Sequence, residues 1–114
     1  MGQDKIYTVR FLREAFEDIT EIVSSFVMFD SKQGARRIQK KINKAVSQIG
    51  NFPLSGVAVP DKKLAESGFR MIVIEKYLMF YKVFEDKSEI FVYRILNGKR
   101  NYPALLRSLD TDAK

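Results

Sequence analysis

The chain has no cysteine, no histidine and no tryptophan, only three prolines among 114 residues, and no long apolar run. Without cysteine there is no disulfide, thiolate metal site or cysteine nucleophile. Without histidine it lacks the commonest metal ligand and the one side chain that titrates unperturbed near neutrality. Disulfide scaffolds, zinc fingers, zinc hydrolases and triads built on His or Cys are thereby excluded, and no metal or cofactor is expected. No stretch approaches the roughly 20 apolar residues that span a bilayer, and the start, MGQDKIYTVRF, mixes polar and apolar residues. The expectation is a soluble, cytoplasmic protein with no membrane partner.

What is present suffices for one core. The length predicts a single domain over residues 1–114, ending in a polar tail at 110–114, and 46% hydrophobic residues with nine phenylalanines can fill it. Residues 5–11 alternate with period two and predict a strand. From Arg13 the apolar positions Phe16, Ile19, Ile22, Val23 and Phe26 recur at helical spacing, with acids on the other face. Asp30 and Gln33 suggest a capping box before a second helix carrying Ala35, Ile38, Ile42, Ala45 and Ile49, with Gly50 as its left-handed C-cap. Residues 53–68 read as a loop with a helical turn around Leu64. Three strands follow at 69–75, 77–84 and 89–96; their short connections imply antiparallel neighbours. Strand 89–96 is apolar on both sides and so is expected to be central or covered on both faces. Its face assignment puts Ile90, Val92, Arg94 and Leu96 together. Pro103 opens a short helix with Leu105, Leu106 and Leu109. The predicted fold class is α+β, ordered β-α-α-β-β-β, with a helical hairpin on one face of a small, mainly antiparallel sheet.

The net charge of +6 is unevenly distributed. Residues 13–30 sum to −4, whereas the second helix carries Lys32, Arg36, Arg37, Lys40, Lys41 and Lys44 and no acid. Arg36, Arg37, Lys40, Lys41 and Lys44 form a basic stripe opposite the apolar one. Phosphate binding, docking of an acidic protein and a merely solvated face all fit it; interleaved aromatics for base stacking are missing.

A second basic cluster lies at the other end of the chain. Arg70 and Arg94 fall on strands, and Asn97-Gly98-Lys99-Arg100-Asn101-Tyr102 follows the last strand directly. A cation on an apolar strand face needs a partner or a function. Asn97-Gly98 suggests a positive-φ turn whose amides, with Lys99 and Arg100, face an anion. Apolar strands 71–84 and 89–96 leave two alternatives: an amphipathic partner segment covers part of the sheet or its edge, or Leu105, Leu106 and Leu109 close it from within.

The segments YTVRFLREAFEDITEI (7–22), the region of Pro53 and Gly56, FRMIVIEKYLMFYKV (69–83) and YRILNGKRNYPALL (93–106) occur in one order along nearly the whole chain. In that order they resemble the RelE/ParE superfamily of toxins from bacterial type II toxin–antitoxin systems. The closing segment is similar to that superfamily's R-V-L-H-G-x-R-D-x-x-x-L-L, with Asn97 in the His position and Asn101 in the Asp position. The resemblance implies the α+β fold just described, a growth-inhibiting toxin of the plasmid-stabilisation type, and a cognate antitoxin as partner. A homodimer or a heterotetramer with the antitoxin is the assembly to expect.

Two mechanisms come with the resemblance. A RelE-like toxin is a ribosome-dependent mRNA endoribonuclease, metal-independent, in which the ribose 2′-OH attacks its own phosphate; cations and proton-transfer groups are then required. Arg70, Lys99, Arg100 and Tyr102 are the catalytic candidates by this reading, although Leu78 and Ile72 stand where such nucleases place further basic residues. A ParE-like toxin instead poisons DNA gyrase. The tail RILNGKRNYPALL is nearer to that branch, with Arg94, Asn97, Lys99, Arg100, Tyr102, Leu105 and Leu106 as contacts for target and antitoxin. A third reading is a non-toxic basic module that binds nucleic acid or protein through the Arg36–Lys44 stripe.

Overall fold

A computed structural model describes residues 5–112. Strand β1 (Thr8–Phe11) leads into α1 (Arg13–Phe29) and α2 (Lys32–Asn51), followed by a two-residue β2 (Val57–Ala58) and a short α3 (Lys62–Glu66). Strands β3 (Arg70–Ile74), β4 (Tyr77–Phe84) and β5 (Glu89–Asn97) complete the sheet, and α4 (Tyr102–Asp112) ends the described chain. The five strands lie in the order β1-β5-β4-β3-β2. All neighbours are antiparallel except β1 and β5, which run parallel. The apolar β5 is therefore interior, as its two-sided pattern requires.

The first helix starts after Leu12 without a side-chain cap, and Glu14 in its first turn complements the helix dipole. The cap of α2 is Ser31, whose Oγ accepts the Gly34 N–H at 2.9 Å. The expected Asp30–Gln33 box does not form, because Asp30 still closes α1, its N–H bonded to the Phe26 carbonyl at 3.0 Å. Gly50 is not a left-handed cap either: it lies within α2, and only Gly68 among the glycines of the described residues has positive φ. Its missing side chain serves close approach, since the Gly50 carbonyl accepts the Tyr7 N–H at 2.9 Å and a Cβ there would stand 3.3 Å from the Tyr7 oxygen.

Each face of the sheet has its own apolar cluster. The α1–α2 hairpin covers one, joining Ile22, Ile38, Ile42 and Ile49 to Met79, Tyr81, Ile90 and Val92. The other is closed by α3 and α4, where Leu64 and Leu106 meet Phe69, Phe80, Tyr93 and Leu96. The chain itself thus covers the face that the sequence left open. The expected polar tail, 110–114, continues α4 through Asp112, and its last two residues lie outside the described residues.

One face assignment is corrected. Phe80 pairs with Arg94 but Tyr81 pairs with Val92, so β5 carries an extra residue at Tyr93. This bulge inverts the alternation: Ile95 joins Ile90 and Val92 under the hairpin, and Leu96 joins Tyr93 on the opposite face. Arg94, paired with Phe80 as Leu96 is with Leu78, keeps the face of Leu96 and leaves that of Ile90 and Val92.

Candidate functional site

Arg70 and Arg94, the two strand arginines, are both engaged. Arg94 donates through Nε and Nη2 to the two Asp18 carboxylate oxygens at 2.7 and 2.8 Å, and the Ile95 N–H donates to the same carboxylate at 3.0 Å. Asp18 is the buried charged residue of the described chain, 8% exposed, and its hydrogen bonds push the Arg94 pKa further up from its already high value. This fork fixes α1 onto β5 and engages the Nε/Nη2 edge of the guanidinium.

Arg70 anchors the loop behind α2. Its Nη2 donates to the Leu54 and Gly56 carbonyls at 3.0 and 2.5 Å, while the Tyr81 hydroxyl donates to the Pro53 carbonyl at 2.8 Å and accepts the Gly56 N–H at 3.0 Å. The approach leaves no room for a side chain: a Cβ on Gly56 would lie 2.6 Å from the Tyr81 hydroxyl. The Arg70 Nε is buried without a partner.

The nuclease constellation expected of Arg70, Lys99, Arg100 and Tyr102 is not assembled. Arg70 pairs with Tyr81, four rungs from the Tyr77–Asn97 rung where the basic corner begins, roughly 13 Å along the strands. Arg70 also shares the hairpin face with Ile72 and Ile74, whereas Tyr102 lies on the other, its ring 4.9 Å from that of Phe80. Leu106 is fully buried and Leu105 packs against the same cluster. Leu106 is therefore core rather than a contact surface.

The corner itself exists, in a different form from the one expected. No positive φ occurs at Asn97 or Gly98. The turn is instead held by the Asn97 side chain, whose Oδ1 accepts the Lys99 N–H at 2.9 Å, while the Asn97 carbonyl accepts the Arg100 N–H at 2.9 Å. The Gly98 N–H goes to the Lys76 carbonyl at 2.9 Å. All three amides are consumed, so there is no backbone nest for an anion. What faces solvent is side chain: Lys99 and Arg100 are exposed and make no side-chain hydrogen bond or ion pair among the described residues.

The Gly98–Lys76 bond brings the β3–β4 turn to the same corner. Glu75, held at φ 55° in that turn, receives Arg37 at 3.1 Å and Lys41 at 3.0 Å. These hydrogen bonds hold its carboxyl below the usual range. One row of the basic stripe on α2 is thus partly neutralised, two cations sharing one carboxylate, with Arg37 also 5.5 Å above the Phe26 ring. The other row, Arg36, Lys40 and Lys44, remains exposed and makes no ion pair among the described residues.

Two parts of the corner were not foreseen from the sequence. Lys76 belongs to it, and Lys76 and Tyr77 also line a cleft of about 180 Å³ with Ser25, Phe26, Phe29 and Asp30 at the tip of the hairpin. At that tip Met28 and Phe29 are 73% and 83% exposed. The signal was available: Phe26-Val27-Met28-Phe29 is a run of four apolar residues, more than one helix face can bury. The site is a cationic corner beside a protruding apolar tip. It offers binding and charge neutralisation.

Known proteins share this chain's family pattern and its fold. A family model described as the ParE toxin of the parDE type II toxin–antitoxin system matches residues 9–102. No curated protein matches at a significant level. Among solved structures, the chain is similar to one in a chromosomal ParDE system from P. aeruginosa, with 19% identity, a TM-score of 0.65 and coverage of 81% of this chain and 96% of that one. It is also similar to one in the RelBE2 toxin–antitoxin complex of Mycobacterium tuberculosis, with 18% identity, a TM-score of 0.58 and coverage of 81% and 98%. These two likenesses concern the fold. With the family match extending over most of its length, the chain belongs to the ParE toxin family of type II toxin–antitoxin systems.

Proposed function

We propose that this toxin arrests growth by acting on DNA gyrase, and that the corner formed by Lys76, Lys99 and Arg100 with the apolar tip Met28–Phe29 is its contact with the target. The observation that carries this reading is the state of the cations. Arg70 and Arg94 are spent on internal carbonyls and on Asp18, and Tyr102 lies on the opposite face from Arg70. RNA cleavage needs several such groups converging on one phosphate. Poisoning by binding needs only an exposed, complementary surface, and charged groups beside apolar anchors supply one.

A cognate antitoxin neutralises the toxin in this proposal, as the toxin–antitoxin complexes among the structural neighbours support. The decisive assay is supercoiling by purified gyrase with increasing amounts of the chain. Inhibition is expected, with the double replacement Lys99→Ala/Arg100→Ala weakening it about tenfold or more, the effect of two lost charge contacts. Normal supercoiling at a molar excess of folded protein would reject the proposal. Codon-position cuts in translated mRNA that vanish in Arg100→Ala would replace it with the ribosome-dependent nuclease.

A further inference from the structure

The side of the α1–α2 hairpin turned away from the sheet carries an apolar seam. On α1, Phe16, Thr20, Val23 and Val27 follow at spacings of 4, 3 and 4 and so form one row. Phe16 and Val27 are 64% and 48% exposed. Beside Val23 lies an open groove of about 340 Å³, bounded on α2 by Ala35, Arg36, Gln39 and Lys40. Its surface is mainly apolar, so the two cations contribute their alkyl stems to it.

The flanks of this seam bear opposite charge. Glu17 and Glu21 stand on α1 and Lys40 and Lys44 on α2, all four exposed, and none of them forms an ion pair among the described residues. The helices run antiparallel through a tight turn, and the groove sets Val23 level with the stretch from Ala35 to Lys40. Counting along both helices, Glu21 is level with Lys40 and Glu17 with Lys44. Within one chain these acids and bases lie on opposite outer flanks and do not meet.

We propose that a second copy of the chain seats on this face, hairpin to hairpin, about a two-fold axis parallel to the helices. Helix α1 of each copy then lies on α2 of the other. Phe16, Val23 and Val27 are sealed in the middle, while Glu17 and Glu21 meet Lys44 and Lys40 of the second copy at the rim. The charge selects both the occupant and the axis. A two-fold axis running across the helices would set α1 on α1 and α2 on α2, acid on acid and base on base. A nucleic acid or an anionic lipid surface laid on the seam would meet Glu17 and Glu21 along with the lysines. The chain itself carries the complementary stripes in matching register, and an isologous contact uses them twice. Helices of 17 and 20 residues are roughly 25 to 30 Å long. A face two helices wide then buries about 500 Å² per copy, about 1,000 Å² in all, at the lower limit of specific interfaces. The dimer is therefore weak, with a micromolar dissociation constant. The proposal goes beyond the gyrase reading and does not depend on it, because Lys76, Lys99 and Arg100 lie outside the seam.

Sedimentation of the full chain should show a monomer–dimer equilibrium that weakens as salt rises. The reversals Lys40→Glu/Lys44→Glu and Glu17→Lys/Glu21→Lys should each raise the dissociation constant about tenfold or more, since every rim pair becomes a like pair. Mixed in equal amounts, the two variants should associate, each supplying the charge the other has lost. A chain with all four reversals should dimerise like the parent, a result that an axis setting α1 on α1 would not give. Lys40→Glu/Lys44→Glu is an exposed change and should keep the melting midpoint within about 5 °C. Glu21 also acts on Arg94, so the other reversal costs some stability; should it unfold, the lysine reversal against the parent still decides. A parent that stays monomeric at about 100 μM, a dimer indifferent to the reversals, or a mixture of folded variants that stays monomeric would overturn the proposal. So would a monomeric parent that binds phosphatidylglycerol vesicles through Lys40 and Lys44. The readout contains no gyrase, and Lys99→Ala/Arg100→Ala should leave the dimer intact, so its failure is separate from a failure of the toxin mechanism.

Discussion

The fork between Asp18 and Arg94 should behave as a structural pair, and a double-mutant cycle measures it. Replacing Arg94 with Met removes two of the three hydrogen bonds on the Asp18 carboxylate and leaves it with the Ile95 N–H alone. The two side chains are 16% and 9% exposed. Removing one member of a buried pair costs about 3–5 kcal/mol because the other charge stays unpaired. The slight exposure of Arg94 argues for the lower end, about 3 kcal/mol, which for a domain of this size lowers the melting midpoint by roughly 10–20 °C. The double variant Asp18→Leu/Arg94→Met buries no charge and orphans only the Ile95 amide, at about 1–2 kcal/mol. It should therefore be more stable than Arg94→Met alone, with a coupling of at least about 2 kcal/mol. Arg94→Lys should fall between, since an ammonium cannot fork onto both oxygens. Urea unfolding followed by far-ultraviolet circular dichroism gives all four corners. Additive losses, or an Arg94→Met variant within about 1 kcal/mol of the parent, would refute the structural role and return Arg94 to the candidates for target contact.

Gly56→Ala should destabilise by about 2 kcal/mol or more, since the new methyl meets the Tyr81 hydroxyl at 2.6 Å and the Met71 carbonyl at 2.7 Å; urea unfolding reads the loss. Ser88→Gly should raise the melting midpoint, because Ser88 sits at φ 53° and relief of a left-handed residue contributes up to about 1 kcal/mol. Glu75→Gln should lose less than about 1 kcal/mol near neutrality, as expected for a surface cluster. Because the Arg37 and Lys41 hydrogen bonds depress the Glu75 pKa, its contribution is complete above the unfolded value of about 4.3 and fades as pH falls through the folded one. Stability curves of parent and variant should thus converge in acid; a gap that widens below pH about 4 would contradict the assignment.

Most of the fold could be read from local pattern, because helical and two-residue periods report which face of an element is buried. The positions 35, 38, 42, 45 and 49 predicted the buried side of α2, and all five are buried. The two-sided β5 announced its interior place. Failures occurred where a distant group decides the local geometry. Gly50 followed by Pro53 looks like a helix stop, yet Gly50 is needed because the Tyr7 backbone crosses it. The Tyr93 bulge carries no sequence mark: no glycine or proline interrupts residues 89–97. Its consequence, the reversal of faces at Leu96, was therefore out of reach.

The same division explains the site. Sequence identifies cations and cannot tell which are already answered. Arg94 and Lys99 are five residues apart and both cationic, but the first meets an aspartate 76 positions away while the second faces solvent. A buried charge is placed only where a long-range partner compensates it, so burial and availability are opposite outcomes of one search across the fold. Among the cations that remain available are Lys76 in a hairpin turn, Lys99 and Arg100 between β5 and α4, and Arg36, Lys40 and Lys44 on the outer side of α2. Strands order these groups without consuming them, because Asn97 satisfies the local backbone. A surface made this way is rigid at its base and free at its tips, which suits binding a large partner and does not suit general acid–base chemistry, where at least one tip must be held against another.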